Sequence, residues 1–182
     1  IGTDAGAQAQ MLAALGYETV AELVERAVPA SILREPGVAS DDGMAEPAAG
    51  LLSNDDATIF STNYIKPIVE AVQDENFLFV LHNCGNTGHC TQSMIDSGAR
   101  ALHFGNQCDI VSALQQVPSD RIVMGNLDPV GIFKSSSPKQ VYDETERLLH
   151  ATADFDNFII STGCDVPPGV TLENINAFYR AV

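Results

Sequence analysis

The segment Phe77-Leu78-Phe79-Val80-Leu81-His82-Asn83-Cys84-Gly85-Asn86 places five apolar residues directly before a polar cluster that contains imidazole and thiol groups. A short continuous apolar run of this kind is typical of a strand that is buried on both faces of a parallel sheet. In parallel β/α folds, ligand-binding residues gather at the carboxyl ends of the strands. The segment therefore predicts a buried strand at 77–81 with a functional site directly after it.

Comparable apolar runs recur along the chain and alternate with helical patterns. Predicted strands cover residues 77–81, 101–104, 121–124 and 158–160, with a brief further candidate at 44–45. Predicted helices cover residues 54–73, 89–97, 108–116, 138–153 and 171–181. Three of these helices have capping residues at their starts, namely Ser53, Ser137 before Pro138, and Thr171. The alternation indicates an α/β protein with about five βα units, either part of a TIM-type (β/α) barrel or an open doubly wound sheet.

The first 36 residues follow a different pattern. Apolar residues between 7 and 28 recur at helical spacing, with a break at Gly16-Tyr17, which predicts two short helices. The stretch 37–43 contains glycine and aspartate and indicates a linker. The predicted organisation is a helical segment at 1–36, a linker at 37–43 and the α/β unit at 44–182.

Composition limits the partners of the protein. The chain contains 24 acidic and nine basic residues, so its formal net charge is −15, which disfavours binding to nucleic-acid phosphates or anionic membranes. No apolar run reaches the roughly 20 residues that a membrane helix needs, and the start does not resemble a signal peptide. Four cysteines are too few for a secreted disulfide scaffold, and Cys90 and Cys108 are interpreted as small packing residues. The sequence therefore predicts a cytoplasmic protein without a nucleic-acid or membrane partner.

Three residues at two strand ends form a candidate metal site. His82 and Cys84 are two positions apart, so on an extended backbone their side chains point the same way, and Cys164 follows another predicted strand. One imidazole and two thiolates suit zinc and leave a fourth coordination position open. Two alternatives remain at this point: a buried histidine with core thiols, or a local metal site formed by His82, Cys84, His89 and Cys90.

Further polar residues follow predicted strands. Asn106, Asn126 and Asp128 stand at such positions, and Glu46 is the one carboxylate placed in this way near the start of the α/β unit. Polar groups at successive strand ends can line one mouth, so Glu46, Asn106 and Asp128 are candidate catalytic residues. Asn and Asp are also common in turns for backbone reasons, which is the alternative for Asn106, Asn126 and Asp128.

Five motifs together resemble one enzyme family. They are Met44-Ala45-Glu46-Pro47-Ala48-Ala49-Gly50-Leu51-Leu52-Ser53, His82-Asn83-Cys84-Gly85-Asn86, His103-Phe104-Gly105-Asn106, Met124-Gly125-Asn126-Leu127-Asp128-Pro129 and Ser161-Thr162-Gly163-Cys164-Asp165-Val166-Pro167-Pro168. Over residues 44–182 the chain resembles the uroporphyrinogen decarboxylase family, and within it the zinc-containing, methylcobalamin-dependent methyltransferase branch. The resemblance implies part of an eight-stranded (β/α) barrel with zinc on His82, Cys84 and Cys164. It also implies transfer of a methyl group from methylcobalamin or a corrinoid protein to a small-molecule thiol.

Residues 1–36 resemble a different family. Similarity to the N-terminal start of the glycine decarboxylase P-protein is carried by Ile1-Gly2, Gln10-Met11-Leu12, Leu15-Gly16-Tyr17 and Val28-Pro29-Ala30-Ser31-Ile32. The lysine motif that binds pyridoxal phosphate in that family has no counterpart around Lys66, Lys134 or Lys139, so glycine decarboxylation is not expected. The junction between the two resemblances suggests a fusion, a recombined chain or a truncated gene product.

Three functions are compatible with these observations. The leading hypothesis is a zinc-dependent methyltransferase, and the second is an inactive, truncated or chimeric fragment of such a barrel. The third is a metal-independent decarboxylase of a porphyrinogen-like polyacid, which the lack of an arginine cluster disfavours. About five strands cannot close a barrel, so the outer strands are expected to need a cover. We expect the helices of 1–36, a second copy of the chain in a homo-oligomer, or both to provide it.

Overall fold

The computed structural model describes residues 5–14, 16–19, 22, 26 and 52–182. The chain divides into two compact units, Ile1–Ala45 and Glu46–Val182. In the first unit, helix α1 spans Ala5–Ala14 and is followed by Gly16 at a φ of 78°, so the predicted break near Gly16-Tyr17 is confirmed. The predicted linker, the strand candidate at 44–45 and Glu46 lie outside the described residues.

Four parallel strands form the sheet of the second unit. They are β1 (Val80–Asn83), β2 (Ala101–Phe104), β3 (Ile122–Leu127) and β4 (Phe158–Thr162). Their order in the sheet is their order in the chain, from β1 to β4. A doubly wound sheet reverses its strand order at a switch point, whereas in a (β/α) barrel each new strand lies beside the previous one. The sequential order therefore favours the barrel arrangement over the doubly wound alternative.

Helices flank the strands close to their predicted positions. They are α2 (Asn54–Ala57), α3 (Asn63–Val72), α4 (Thr91–Asp96), α5 (Ile110–Gln116), α6 (Pro138–Ala151) and α7 (Leu172–Ala181). Two π-helical segments and one 3-10 turn occur as well, at Thr58–Thr62, Pro129–Lys134 and Gly88–Cys90. Each predicted cap accepts a hydrogen bond from a first-turn amide, at Ser53, Ser137 and Thr171. Within the described ranges, no helix has the length and apolar character needed to cross a bilayer.

The first strand begins later than predicted and, contrary to the prediction, is not buried on both faces, since Val80 is 45% exposed. Its pairing with β2 starts at Val80 rather than at residue 77 and continues to Asn83. The Asp74 carboxylate accepts a hydrogen bond from the Phe77 amide, and this turn keeps Phe77 outside the sheet. His82 therefore lies within β1 instead of directly after it.

The core lies between one face of the sheet and the helices that cover it. Its buried side chains are Val69, Met94, Ile95, Ala99, Leu102, Phe104, Cys108, Ile110, Ala113, Leu114, Val117 and Val123. Cys90 is fully buried and Cys108 is only 5% exposed, as expected for small packing residues. The opposite face of β2 carries His103, because neighbouring residues of a strand point to opposite faces.

The sheet is strongly curved. Parallel strands lie about 4.8 Å apart, so β1 and β4 of a flat four-stranded sheet would be separated by roughly 14 Å. The Sγ atoms of Cys84, just past β1, and Cys164, just past β4, are nevertheless 3.3 Å apart. His103 on β2 also lies against both His82 on β1 and the Thr162 carbonyl at the end of β4. The curvature thus gathers the carboxyl ends of the strands around one mouth, as in part of a barrel.

Candidate metal centre

Three metal-ligating side chains converge at the mouth of the curved sheet. His82 Nε2 lies 2.9 Å from Cys84 Sγ, and Cys84 Sγ lies 3.3 Å from Cys164 Sγ. The three ligand atoms all lie within 4.8 Å of one another. His82 and Cys84 come from one strand end, whereas Cys164 is 80 positions further along the chain than Cys84. The tertiary fold, rather than local sequence alone, therefore assembles this group.

The spacing of the three atoms fits a zinc ion after small side-chain rotations. Zinc–nitrogen distances near 2.0 Å and zinc–sulfur distances near 2.3 Å place tetrahedral ligands roughly 3.5–3.8 Å apart. The observed Nε2–Sγ and Sγ–Sγ separations are shorter than this by about half an ångström. All three side chains are at least partly exposed, so the adjustment does not require the core to move.

The alternative local site at His82, Cys84, His89 and Cys90 is not formed. His89 Nε2 lies 2.7 Å from the Leu52 carbonyl oxygen. Cys90 is fully buried at the end of the 3-10 turn that precedes α4. This turn removes both residues from the end of β1, so the local-site alternative is wrong.

Burial and close neighbours determine the protonation of the ligand group. Desolvation and the adjacent His103 lower the pKa of His82, so its imidazole is neutral at neutral pH. Burial, followed by the hydrogen bond and the charge of Cys164, raises the pKa of Cys84 to about 11. The Cys84 thiol is therefore protonated in the metal-free protein. A metal ion that binds here displaces this proton, because the thiolate is the ligand.

Two glycines allow the loops at the mouth to pack backbone against backbone. A Cβ at Gly163 would lie 2.3 Å from the amide nitrogen of Asn106, and one at Gly105 would lie 2.8 Å from the amide nitrogen of Gly85. Side-chain carbons do not approach backbone atoms so closely. The Gly163 amide also donates a hydrogen bond to the Leu127 carbonyl oxygen at 2.7 Å. These contacts hold the loop after β4 against the end of β3 and the loop after β2, and they hold the loop after β2 against the loop after β1.

His103 belongs to this site, although sequence reasoning did not select it as a site residue. Its Nδ1 is 2.7 Å from His82 Nδ1, and its Nε2 is 3.0 Å from Ser161 Oγ and 2.8 Å from the Thr162 carbonyl oxygen. The pairing of β1 with β2 places His103 directly opposite His82, and this pairing is the signal that could have identified His103 as a site residue. Using that signal requires the strand register, which depends on strand ends that the sequence did not locate.

A cavity of about 570 Å³ is lined by two of the three candidate ligands, His82 and Cys164. Its lining combines polar site residues with apolar side chains, namely Val80, His82, His103, Met124, Ser161, Thr162, Cys164, Asp165 and Val166. In the part of the chain that the structure describes, no lysine or arginine lines this cavity. The ligand group thus borders a space of the size that small organic ligands occupy.

Two of the candidate catalytic residues, Asn106 and Asp128, do not line this cavity. Asn106 and Asp128 line a separate cavity of about 420 Å³. The Asp128 carboxylate accepts hydrogen bonds from the amides of Val130 and Gly131, which is the turn role considered for it. Glu46 lies outside the described residues. A catalytic role for Glu46, Asn106 and Asp128 therefore stays a prediction.

Known proteins resemble the second unit in sequence. The family profile described as Uroporphyrinogen decarboxylase (URO-D) matches residues 38–182. The methylcobamide:CoM methyltransferase MtbA of Methanosarcina acetivorans is 31% identical over 107 residues, which are 59% of this chain and 30% of that protein. A uroporphyrinogen decarboxylase of Ectopseudomonas mendocina is 32% identical over 126 residues, which are 68% of this chain and 35% of that protein.

A solved structure shares the fold. A methyltransferase from Methanosarcina mazei superposes with a TM-score of 0.64 at 22% identity, covering 74% of this chain and 39% of its own length. The chain thus spans about a third of the length of the relatives that it matches. This superposition shows that the chain resembles the Methanosarcina mazei protein in fold.

Proposed function

Because the chain belongs to the uroporphyrinogen decarboxylase family, we propose that its curved sheet carries a zinc centre that serves methyl transfer from a methylcorrinoid to a thiol. The observation that carries this proposal is the convergence of His82 Nε2, Cys84 Sγ and Cys164 Sγ within 4.8 Å of one another. Matching relatives are named for methyl transfer and for decarboxylation. The soft ligand group favours the first of these two reactions.

The chain supplies the ligand number and type of a catalytic zinc site. His82, Cys84 and Cys164 would hold the ion through one nitrogen and two sulfur donors, a set that suits zinc. Bound there, zinc supplies the positive charge that keeps a substrate thiol deprotonated at neutral pH, and the thiolate is the nucleophile. Structural zinc sites use four protein ligands, whereas catalytic sites use three and leave one position for substrate.

The cavity beside the ligands would bind and orient the thiol. Val80, Met124 and Val166 form its apolar part, while His103 and Ser161 add polar groups. Binding pockets commonly combine an apolar lining with a few polar groups that fix orientation. The proposed partners are a small-molecule thiol as acceptor and methylcobalamin or a corrinoid protein as donor. Cys84, Cys108 and Cys164 are free thiols, which fits the reducing conditions of the cytoplasm.

Metal-independent decarboxylation of a polyacid has less support from the site. Several carboxylates are held in proteins by arginine or lysine side chains, and among the described residues none lines the cavity. Arg100 and Arg121 donate hydrogen bonds to the carbonyl oxygens of Phe77 and Ile95, so they serve the packing of the unit. Decarboxylation without a metal also gives no reason for two thiols and an imidazole to converge.

Metal content tests the first half of the proposal. Protein purified without added zinc is expected to contain about one zinc ion per chain by elemental analysis, since three preformed ligands retain the ion through purification. Absence of zinc, together with failure to bind it on titration, would exclude the zinc centre.

Methyl transfer tests the second half. The zinc-loaded protein is expected to consume methylcobalamin in the presence of a small thiol such as 2-mercaptoethanol, measured by the change in the cobalamin spectrum and by detection of the methyl thioether. Stoichiometric zinc without any methyl transfer would support the alternative that the chain is an inactive part of a larger barrel.

A further inference from the structure

A continuous chain of polar contacts links the zinc ligand His82 to the end of β4. His82 Nδ1 lies 2.7 Å from His103 Nδ1, and His103 Nε2 lies 2.8 Å from the carbonyl oxygen of Thr162. Ser161 Oγ lies 3.0 Å from His103 Nε2 and 3.1 Å from the same Thr162 carbonyl oxygen. This series of contacts therefore begins at the Thr162 carbonyl oxygen on β4 and ends at the proposed metal ligand His82 on β1.

The Thr162 carbonyl determines which ring nitrogens of His103 and His82 carry the protons of this series of hydrogen bonds. A carbonyl oxygen only accepts hydrogen bonds, so at 2.8 Å the facing Nε2 of His103 must carry the proton. A neutral imidazole has one N–H, which leaves His103 Nδ1 as an acceptor. The 2.7 Å contact to His82 is then a hydrogen bond in which His82 Nδ1–H donates to His103 Nδ1. The remaining nitrogen, His82 Nε2, carries the lone pair and faces Cys84 Sγ.

We propose that His103 is a positioning residue that holds His82 in the tautomer with its proton on Nδ1, so that Nε2 is free to bind the metal. This inference rests on the proposed zinc centre and names a residue that prepares one of its ligands. The hydrogen-bond partner of the second ring nitrogen determines the tautomer and ring orientation of a ligating histidine. The same series of hydrogen bonds reaches Thr162, two residues before Cys164. It therefore also couples the orientation of His82 to strand β4, which precedes the third ligand.

The tautomers can be read directly in metal-free protein. At about pH 8 free imidazoles are neutral, and long-range proton–nitrogen correlation spectra distinguish Nδ1–H from Nε2–H rings. The chain has four histidines, and the exposed His150 serves as an internal reference for an unconstrained ring. We expect Nδ1–H at His82 and Nε2–H at His103. A parent spectrum with Nε2–H at His82 would overturn the inference.

A matched pair of variants separates positioning from packing. His103→Asn and His103→Leu leave side chains of nearly the same shape, but only asparagine offers an acceptor oxygen near the former Nδ1. We expect His103→Leu to weaken zinc affinity by about 10- to 100-fold, the range for loss of an outer-shell partner, and His103→Asn to restore most of it. Competition with a chromophoric chelator measures both affinities, and cobalt substitution reports whether the ligand geometry changes.

The outcomes distinguish this inference from the proposed function. Equal loss of zinc affinity in His103→Asn and His103→Leu would show a packing role and overturn the positioning role. If the parent binds no zinc, the zinc centre fails, but the tautomers of His82 and His103 in the metal-free protein still decide whether His103 positions His82.

Discussion

At the scale of single residues, the Cys84 thiol is predicted to make zinc binding at the proposed centre sensitive to pH. Its pKa is raised to about 11 by burial and by the adjacent Cys164, so it carries a proton throughout the neutral range. The pKa of His82 is lowered, so its imidazole is already neutral and adds no proton to be released. Zinc binding must therefore release at least the Cys84 proton, and zinc affinity is predicted to rise with pH.

The expected increase is at least about tenfold for each pH unit between about pH 6.5 and pH 8.5, because one released proton contributes one power of ten. Chelator competition at a series of pH values measures it. A zinc affinity that does not change over this interval would contradict the protonated state of Cys84.

The two classes of cysteine are predicted to differ in their effect on the metal. Cys164→Ser removes one of three ligands and is expected to lower zinc affinity by at least about 100-fold. Cys108→Ala is the matched control, because Cys108 is buried in the core and lies outside the ligand group. Equal affinities of the two variants, measured by chelator competition, would exclude Cys164 as a ligand.

At the scale of secondary-structure elements, the loop after β4 depends on Gly163. Gly163→Ala is predicted to move this loop, because the new Cβ would lie 2.3 Å from the Asn106 amide nitrogen. Overpacking of this kind costs about 1–3 kcal/mol of folding free energy. In Gly88→Ala the new Cβ would meet Cys108 Sγ at 3.6 Å, an ordinary contact, so this variant is the control. The midpoint temperature of thermal unfolding and the zinc affinity should both be lower in Gly163→Ala than in the parent. Both should stay near the parent values in Gly88→Ala.

Element types could be predicted from the sequence more reliably than strand ends. The helix after Ser137 begins at its predicted residue and the helix that Thr171 caps begins one residue after its predicted start, because capping is a local interaction between a side chain and the first turn. Strand ends depend on pairing with a neighbour, and β3 accordingly runs to Leu127, beyond the predicted end at residue 124. The same dependence explains why His103 was not recognised as part of the site.

The three donor side chains that converge at the mouth of the sheet could be predicted from the sequence, but the roles of the other polar residues could not. His82, Cys84 and Cys164 have unusual donor chemistry at strand ends, which the sequence displays directly. Asn126 resembles a site residue in the sequence, yet it is buried and its amide donates hydrogen bonds to the carbonyl oxygens of Gly105 and Cys108. Only the packing of the loops distinguishes such a structural amide from a catalytic one.

At the scale of the whole molecule, apolar side chains are exposed on the outer strands β1 and β4 and on the segment just before β1. Phe77, Leu78, Val80 and Ile159 are each between 43% and 54% exposed, and within residues 52–182 β1 and β4 each have one strand neighbour. Exposed apolar residues beside an open strand favour association with another surface. A homo-oligomer is therefore predicted, with a light-scattering mass that is a multiple of 19.4 kDa. A mass of one chain in a folded, monodisperse sample would contradict it.

Because Cys84 and Cys164 are 80 positions apart, a zinc ion bound as proposed would connect β1 and β4, two strands that are not paired with each other in the sheet. With that ion bound, neither β1 nor β4 could leave the sheet without losing a ligand, and an unfolded chain would not keep all three ligands together. An ion that binds only the folded state raises the free energy of unfolding by about 2.7 kcal/mol when its free concentration is 100 times its dissociation constant. Zinc is therefore expected to slow amide hydrogen exchange in β1 and β4 together, joining the two edges of the sheet into one cooperative opening unit.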